Sequence, residues 1–76
     1  MNLNQLQYVI TLAQELNFSR AAEKLYISQP SLSQSIQLLE EEFGVLLFER
    51  KPLKLTYAGE IFLDWAKNVL YSEEQM

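Results

Sequence analysis

The chain contains no cysteine and no histidine. Without cysteine there is no disulfide framework and no thiolate to act as nucleophile or ligand. That pattern suits a reducing compartment, and a cytoplasmic location is expected. With histidine missing as well, a zinc site, a Ser-His-Asp triad and a Cys-His dyad are all excluded. No apolar run approaches the ~18 residues of a membrane span, and no signal peptide opens the sequence. These absences leave no catalytic constellation, no metal, no cofactor and no membrane partner, so the expectation is a protein that is not an enzyme. What is present is apolar mass: 49% of the 76 residues are hydrophobic and nine are aromatic. A chain this short buries only about 60% of the surface its unfolded form exposes, which allows one small core.

Charge is scarce where it would matter for a nucleic-acid partner. The net charge is −4, and no residue from Tyr26 to Leu39 is charged. The acids are bunched at Glu40-Glu41-Glu42 and in the last twenty residues, whereas three of the six basic residues, Arg50, Lys51 and Lys54, fall within five positions. An acidic total therefore coexists with a neutral stretch and a basic tip, and net charge bears on association rather than on fold.

Hydrophobic spacing predicts four helices and a hairpin. Leu3, Leu6, Val9, Ile10, Ala13 and Leu16 recur at helical intervals, with Asn2 and Gln5 as a capping box. Ser19 is the expected N-cap of a short second helix over 20–26, where Ala21 and Ala22 permit close backbone approach. Ser28 caps a third helix, Pro30 falls in its first turn, and Gly44 ends it. Beyond Gly44, Val45 to Arg50 predicts a strand, Lys51-Pro52-Leu53 a turn and Lys54-Leu55-Thr56 a returning strand. Thr56 then caps a fourth helix, and the polar residues 72–76 are expected to fray.

The third helix has two unlike faces. At about 100° per residue, Ile36, Leu39 and Phe43 lie within about 40° of Leu32, and Pro30, Gln34 and Gln37 lie roughly 140–200° away. The outward face of its first half is neutral and hydrogen-bonding: Gln29, Ser31, Ser33, Gln34 and Gln37. A glutamine amide suits the N6 and N7 of adenine, and the free N–H groups at a helix start suit phosphate. Alone, such a face is ordinary solvated surface. Following a tight helix–turn–helix and followed by a basic hairpin, it reads as a groove-reading helix. Arg20 and Lys24, four apart, lie where such motifs cross the DNA backbone, although a surface helix with Lys24 paired to a neighbouring acid is an equal reading of those two alone. The three consecutive glutamates point in different directions and lack histidine or aspartate partners, so they are expected to be solvated rather than catalytic or metal-binding. Leu38 lies off the apolar stripe and is expected to be partly exposed. The fourth helix is more apolar than one small core needs, which predicts a dimer seam at Ile61, Phe62, Trp65 and Val69.

Taken together, Leu3-x-x-Leu6, Phe18-Ser19-Arg20-Ala21-Ala22-x-x-Leu25, Ser28-Gln29-Pro30-Ser31-x-Ser33-x-x-Ile36-x-x-Leu39-Glu40, Gly44-Val45-x-Leu47-Phe48-x-Arg50 and Leu55-Thr56-x-Ala58-Gly59 form a specific set. The sequence resembles the N-terminal DNA-binding domain of LysR-type transcriptional regulators from Leu3 to about Ala66. The resemblance implies a mainly α fold, a winged helix-turn-helix over residues 1–57, followed by a linker and dimerisation helix over 58–76. It also implies a C-terminal effector-binding domain, absent from these 76 residues, as the sole route for a small-molecule effector.

By position, the resemblance puts Gln29, Pro30, Ser31, Ser33, Gln34 and Gln37 in the major groove on a recognition helix of about 29–43. Ser28 stands at its start, Arg20 on the backbone, and Arg50, Lys51 and Lys54 on a wing of 47–56. The implied partners are a pseudo-palindromic double-stranded operator and a second copy of the chain. The sequence departs from the common pattern in having no basic residue at 34, 37 or 38 and a wing about two residues shorter. A winged-helix protein-interaction module is the alternative reading.

Overall fold

The computed structural model describes residues 1–71. The element order is α1 (Leu3–Glu15), α2 (Phe18–Leu25), α3 (Gln29–Phe43), β1 (Phe48–Arg50), β2 (Leu53–Leu55) and α4 (Tyr57–Tyr71). Asn2 and Gln5 form the expected reciprocal box at the start of α1, with the Gln5 N–H donating to Asn2 Oδ1 at 2.9 Å and the Asn2 N–H to Gln5 Oε1 at 3.0 Å. Each of the first three helices ends in a left-handed residue: Leu16 (φ 49), Tyr26 (φ 58) and Gly44 (φ 70).

α1 is the central helix. One side of it packs on α2, α3 and the wing through Val9 and Leu12; the other packs on α4 through Leu6 and Ile10, which meet Ala66. This two-sided burial explains why Leu12 is fully buried although it lies outside the single stripe read from the sequence, while Leu3 and Leu16 at the helix ends are exposed. Ala21 and Ala22 are buried against the α3 stripe of Leu32, Ile36 and Leu39. Phe43, expected in that stripe, is 44% exposed; the end of α3 overshoots the core, and the Phe43 ring instead meets Phe62 of α4 edge-on at 5.5 Å.

Several boundaries differ from the sequence expectation, and Leu53, expected in the turn, opens β2 opposite Arg50. The cap of α2 is Asn17 rather than Ser19: Asn17 Oδ1 accepts the Arg20 N–H at 2.9 Å. Starting the helix earlier brings Phe18 into it, half-buried against the core. β1 begins only at Phe48, because the preceding backbone groups are engaged elsewhere; the Leu47 N–H donates to a side chain and the Leu47 carbonyl accepts from Thr56 N–H at 3.0 Å. β2 ends at Leu55, since Thr56 belongs to the start of α4. The hairpin is antiparallel, with Phe48 opposite Leu55, Glu49 opposite Lys54 and Arg50 opposite Leu53. The fraying expected of residues 72–76 lies outside the described residues.

Thr56 joins the wing to α4. Its hydroxyl donates to the Leu46 carbonyl at 2.6 Å and accepts the Gly59 N–H at 2.9 Å. Gly59 is buried, and a Cβ there would overlap the Leu47 carbonyl oxygen and crowd the Leu55 side chain. Gly59→Ala should therefore push α4 off the wing, with a loss of about 1–3 kcal/mol and a Tm drop of about 4–8 °C per kcal/mol. Thermal unfolding followed by circular dichroism checks this; an unchanged Tm would mean the approach is slack.

Candidate nucleic-acid interface

The connection between α2 and α3 is three residues long, Tyr26, Ile27 and Ser28. Tyr26 takes the left-handed conformation, the Ile27 N–H reaches back to the Ala22 carbonyl at 3.1 Å, and Ser28 caps α3. Ser28 Oγ accepts the Ser31 N–H at 3.2 Å and donates to Ser31 Oγ at 2.8 Å. Pro30 stands in the first turn, where its missing N–H has no intrahelical role. The start of α3 is thus fixed by the αL residue and the cap together.

From this start α3 presents the face read from the sequence. Ser28, Gln29, Pro30, Ser31, Ser33, Gln34 and Gln37 are all exposed, and Leu38 is 53% exposed. The first turn carries no acid. Ser19, inside the first turn of α2, donates its hydroxyl to Gln29 Oε1 at 3.0 Å. That bond ties the starts of α2 and α3 together, with Arg20 the next residue along. It also occupies the Gln29 amide oxygen and leaves the NH2 group to face outward as a donor. The Gln34 amide has no hydrogen bond among the described residues, so both its donor and its acceptor are available.

The cations divide by partner. Lys24 pairs with Glu15 at 2.7 Å, joining α2 to α1, and Lys54 meets Glu49 across the hairpin at 3.5 Å. The Lys54–Glu49 pair is solvent-facing on both sides and contributes little to stability, whereas Glu15 beside Lys24 is only 18% exposed. Arg20 and Lys51 are exposed and have no ion pair among the described residues. Arg50 is different: Nη2 donates to Glu40 Oε1 at 3.0 Å, Nη1 to the Phe48 carbonyl at 2.9 Å, and the guanidinium carbon stands 5.5 Å from the Phe18 ring centroid.

Glu40 corrects the expectation of three solvated glutamates. It is 5% exposed, and its Oε2 accepts the Leu47 and Phe48 N–H groups at 2.7 and 3.1 Å. Glu41 and Glu42 are exposed as expected. The signal was present in the sequence: Glu40 lies only about 80° from Leu32 on the helical wheel, at the edge of the buried face. Ser19 was read as a cap, and its role as the partner of Gln29 has no local sequence signal.

On the opposite side, Met1, Phe43, Val45, Ile61, Phe62 and Trp65 line an open apolar groove of about 490 Å³. Phe62 is half-buried and stacks near Trp65 at 5.6 Å between centroids; Ile61, Trp65 and Val69 are 56%, 44% and 37% exposed. Among the described residues no helix is long and apolar enough to cross a membrane.

Three helices with a three-residue turn between the second and third, a hairpin beside the third, and a fourth helix docked on the first define a winged helix-turn-helix protein. The sequence profile of bacterial regulatory helix-turn-helix proteins of the lysR family matches residues 3–60, and the chain belongs to that family. The HTH-type transcriptional regulator BsdA of Bacillus subtilis (strain 168) is 47% identical over 77 residues, covering 97% of this chain and 27% of that protein. The probable cat1 operon transcriptional activator of Acinetobacter lwoffii is 51% identical over 78 residues, covering 100% of this chain and 26% of that protein. The chain spans about a quarter of the length of these curated relatives. Among solved structures, the BenM DNA-binding domain in complex with catB site 1 DNA matches with a TM-score of 0.92 at 44% identity, over 100% of this chain and 87% of that one. The CbnR DNA-binding domain in its DNA complex matches with a TM-score of 0.91 at 38% identity, over 99% and 88%.

The two residues that set the start of α3 act with opposite sign on stability. Ser28→Ala removes the cap and should cost about 1 kcal/mol. Tyr26 is 95% exposed and held at positive φ, so Tyr26→Gly loses no packing and should gain about 0.5–1 kcal/mol. Urea titration measures both; a destabilised Tyr26→Gly would show that the ring makes a stabilising contact.

Proposed function

We propose that the domain binds double-stranded DNA sequence-specifically as the DNA-binding part of a LysR-type transcriptional regulator, with α3 in the major groove and the wing on the backbone or in the minor groove. The observation that carries this reading is the exposed, uncharged, hydrogen-bonding face of α3. It is held beside a basic hairpin in a fold that matches, at a TM-score of 0.92, a domain solved on DNA. In this reading Gln34 offers both amide groups to one base, and Gln29 offers a donor to an acceptor such as guanine O6 or N7, or to a phosphate. Pro30, Ser31, Ser33 and Gln37 complete the groove-facing surface. Ser28 and the free N–H groups at the helix start face a phosphate. Arg20, Lys51 and Lys54 supply the remaining backbone contacts; the weak Lys54–Glu49 pair gives way easily to phosphate.

The regulator acts in the cytoplasm as a homodimer. In this reading residues 58–76 form the dimerisation element, with Ile61, Phe62, Trp65 and Val69 at the seam. The support is a helix that already buries one side on α1 yet exposes large apolar groups on another. A two-fold axis through that seam puts two recognition helices on one side, and the operator is then a pseudo-palindrome. Small-molecule control enters through a region outside these residues.

The DNA reading is tested by comparing Arg20→Ala with Gln34→Ala on duplexes selected from a random-sequence pool. Arg20→Ala should weaken binding to all sequences alike and reduce the salt slope by about one unit. Gln34→Ala should leave the slope alone and relax preference at one base pair per half-site, by about 1–3 kcal/mol. A partner bound with no salt dependence would instead favour protein recognition. For the dimer, sedimentation at micromolar concentration should show two chains together and Trp65→Glu should give monomers; a wild-type chain that stays monomeric at high concentration overturns the seam.

A further inference from the structure

The cation that the sequence places first on the wing is held by the fold, although 40% of its side chain stays exposed. Arg50 meets three elements at once: Glu40 of α3, the Phe48 carbonyl of its own strand and the Phe18 ring at the start of α2. Its partner Glu40 is buried and simultaneously holds the backbone N–H groups of Leu47 and Phe48, where the chain rises from α3 into the hairpin. Phe18 is followed directly by Ser19, which holds Gln29, and by Arg20. The start of α2, the far half of α3 and the wing therefore share one fixing point, made of one carboxylate and one guanidinium.

We propose that Glu40 and Arg50 are positioning residues that set the wing against α3, and that Arg50 serves DNA binding through this pair rather than by direct contact with phosphate. The proposal rests on the DNA-binding reading above. A carboxylate that accepts two backbone amides and a guanidinium has fixed direction, and the Arg50 fork is held by two oxygens and an aromatic face. Lys51 and Lys54, which follow on the same hairpin, carry the wing's contacts with the backbone, and their reach depends on where the pair puts the hairpin.

Two accounts of Arg50 differ in sign. If Arg50 contacted phosphate directly, Glu40 would compete for it, and Glu40→Gln would remove a negative charge, free the arginine and strengthen binding. As a positioning pair, Glu40→Gln must weaken binding even though the protein becomes less acidic. The experiment measures affinity and salt slope of the 76-residue chain, on a duplex selected from a random-sequence pool and on an unselected duplex. The variants are Glu40→Gln, Arg50→Ala, the double variant, and each single change on a Lys51→Ala/Lys54→Ala background.

Expected results are a loss of about tenfold for Glu40→Gln and for Arg50→Ala, with the lower salt slope of lost wing contacts. The double variant should be no weaker than either single one, and base preference along α3 should be unchanged. On the background lacking both lysines, neither change should weaken binding further, a result that a general loss of folding would not give. Helical circular dichroism verifies that each variant is folded; if Glu40→Gln is not, Arg50→Ala alone still decides, by its effect on the two backgrounds. Tighter binding by Glu40→Gln, or an Arg50→Ala loss that persists undiminished without the lysines, overturns the proposal. Wild-type chain that binds neither duplex overturns the DNA reading instead.

Discussion

Leu46 and Leu47 must carry the chain from the end of α3 across the edge of the core into the wing, outside any strand or helix to satisfy their backbone. The Glu40 carboxylate meets that need. It takes the Leu47 and Phe48 N–H groups, while Thr56 takes the carbonyls of Leu46 and Leu47. An unpaired buried amide costs about 1–3 kcal/mol, so a crossing that left two of them open would be unsustainable in a core this small. With them paired, Leu47 and Phe48 can be fully buried, Gly59 can bring α4 onto the Leu47 backbone, and the hairpin leaves the core at a fixed angle. A buried carboxylate is a costly choice unless its oxygens are all engaged, and here they are. Every buried side-chain nitrogen and oxygen among the described residues has a partner.

The distribution of charge bears on the conflict between an acidic chain and the anionic partner proposed for it. Among the cations that pair with carboxylates, Lys24 links α2 to α1, Arg50 links the wing to α3 and Lys54 meets Glu49 across the hairpin, whereas Arg20 and Lys51 stand free of carboxylates among the described residues. On the proposed DNA-binding reading, specific affinity would be drawn from neutral amides and hydroxyls more than from phosphate attraction, and its dependence on salt would be correspondingly shallow.

Local rules carried most of the architecture. The capping box at Asn2, the Ser28–Pro30 start, the Gly44 end and the Thr56 cap are short-range patterns, and each element they delimit lies close to its expected span. What escaped local reading was tertiary in origin. Leu12 is buried because α1 packs on two sides, which no single stripe reveals. Asn17 displaced Ser19 as a cap because both residue types are suitable and the packing of Phe18 decided between them. Glu40 was hidden among its neighbours because its amide partners lie seven and eight residues ahead, in a segment the pattern assigned to a strand. The exposed helix face was legible because it is a matter of angle alone. The engagement of Arg50 by Glu40 and Phe18 was not, because it depends on where three separate elements meet.

The two left-handed junctions have a consequence for how such a chain can vary. Leu16 is followed at once by the cap Asn17, and Tyr26 by one residue and then the cap Ser28. Each junction ends one helix and starts the next with no spare residue between them. An insertion there separates the left-handed turn from its cap and swings everything that follows. The hairpin tip at Lys51-Pro52 carries no such double duty, being exposed and outside both strands. A change of length is therefore accommodated at the wing tip with less disturbance than at either junction, and a change of chemistry on the outward face of α3 leaves the core contacts in place. The frame relating the two is left untouched, so reach and recognition can diverge independently.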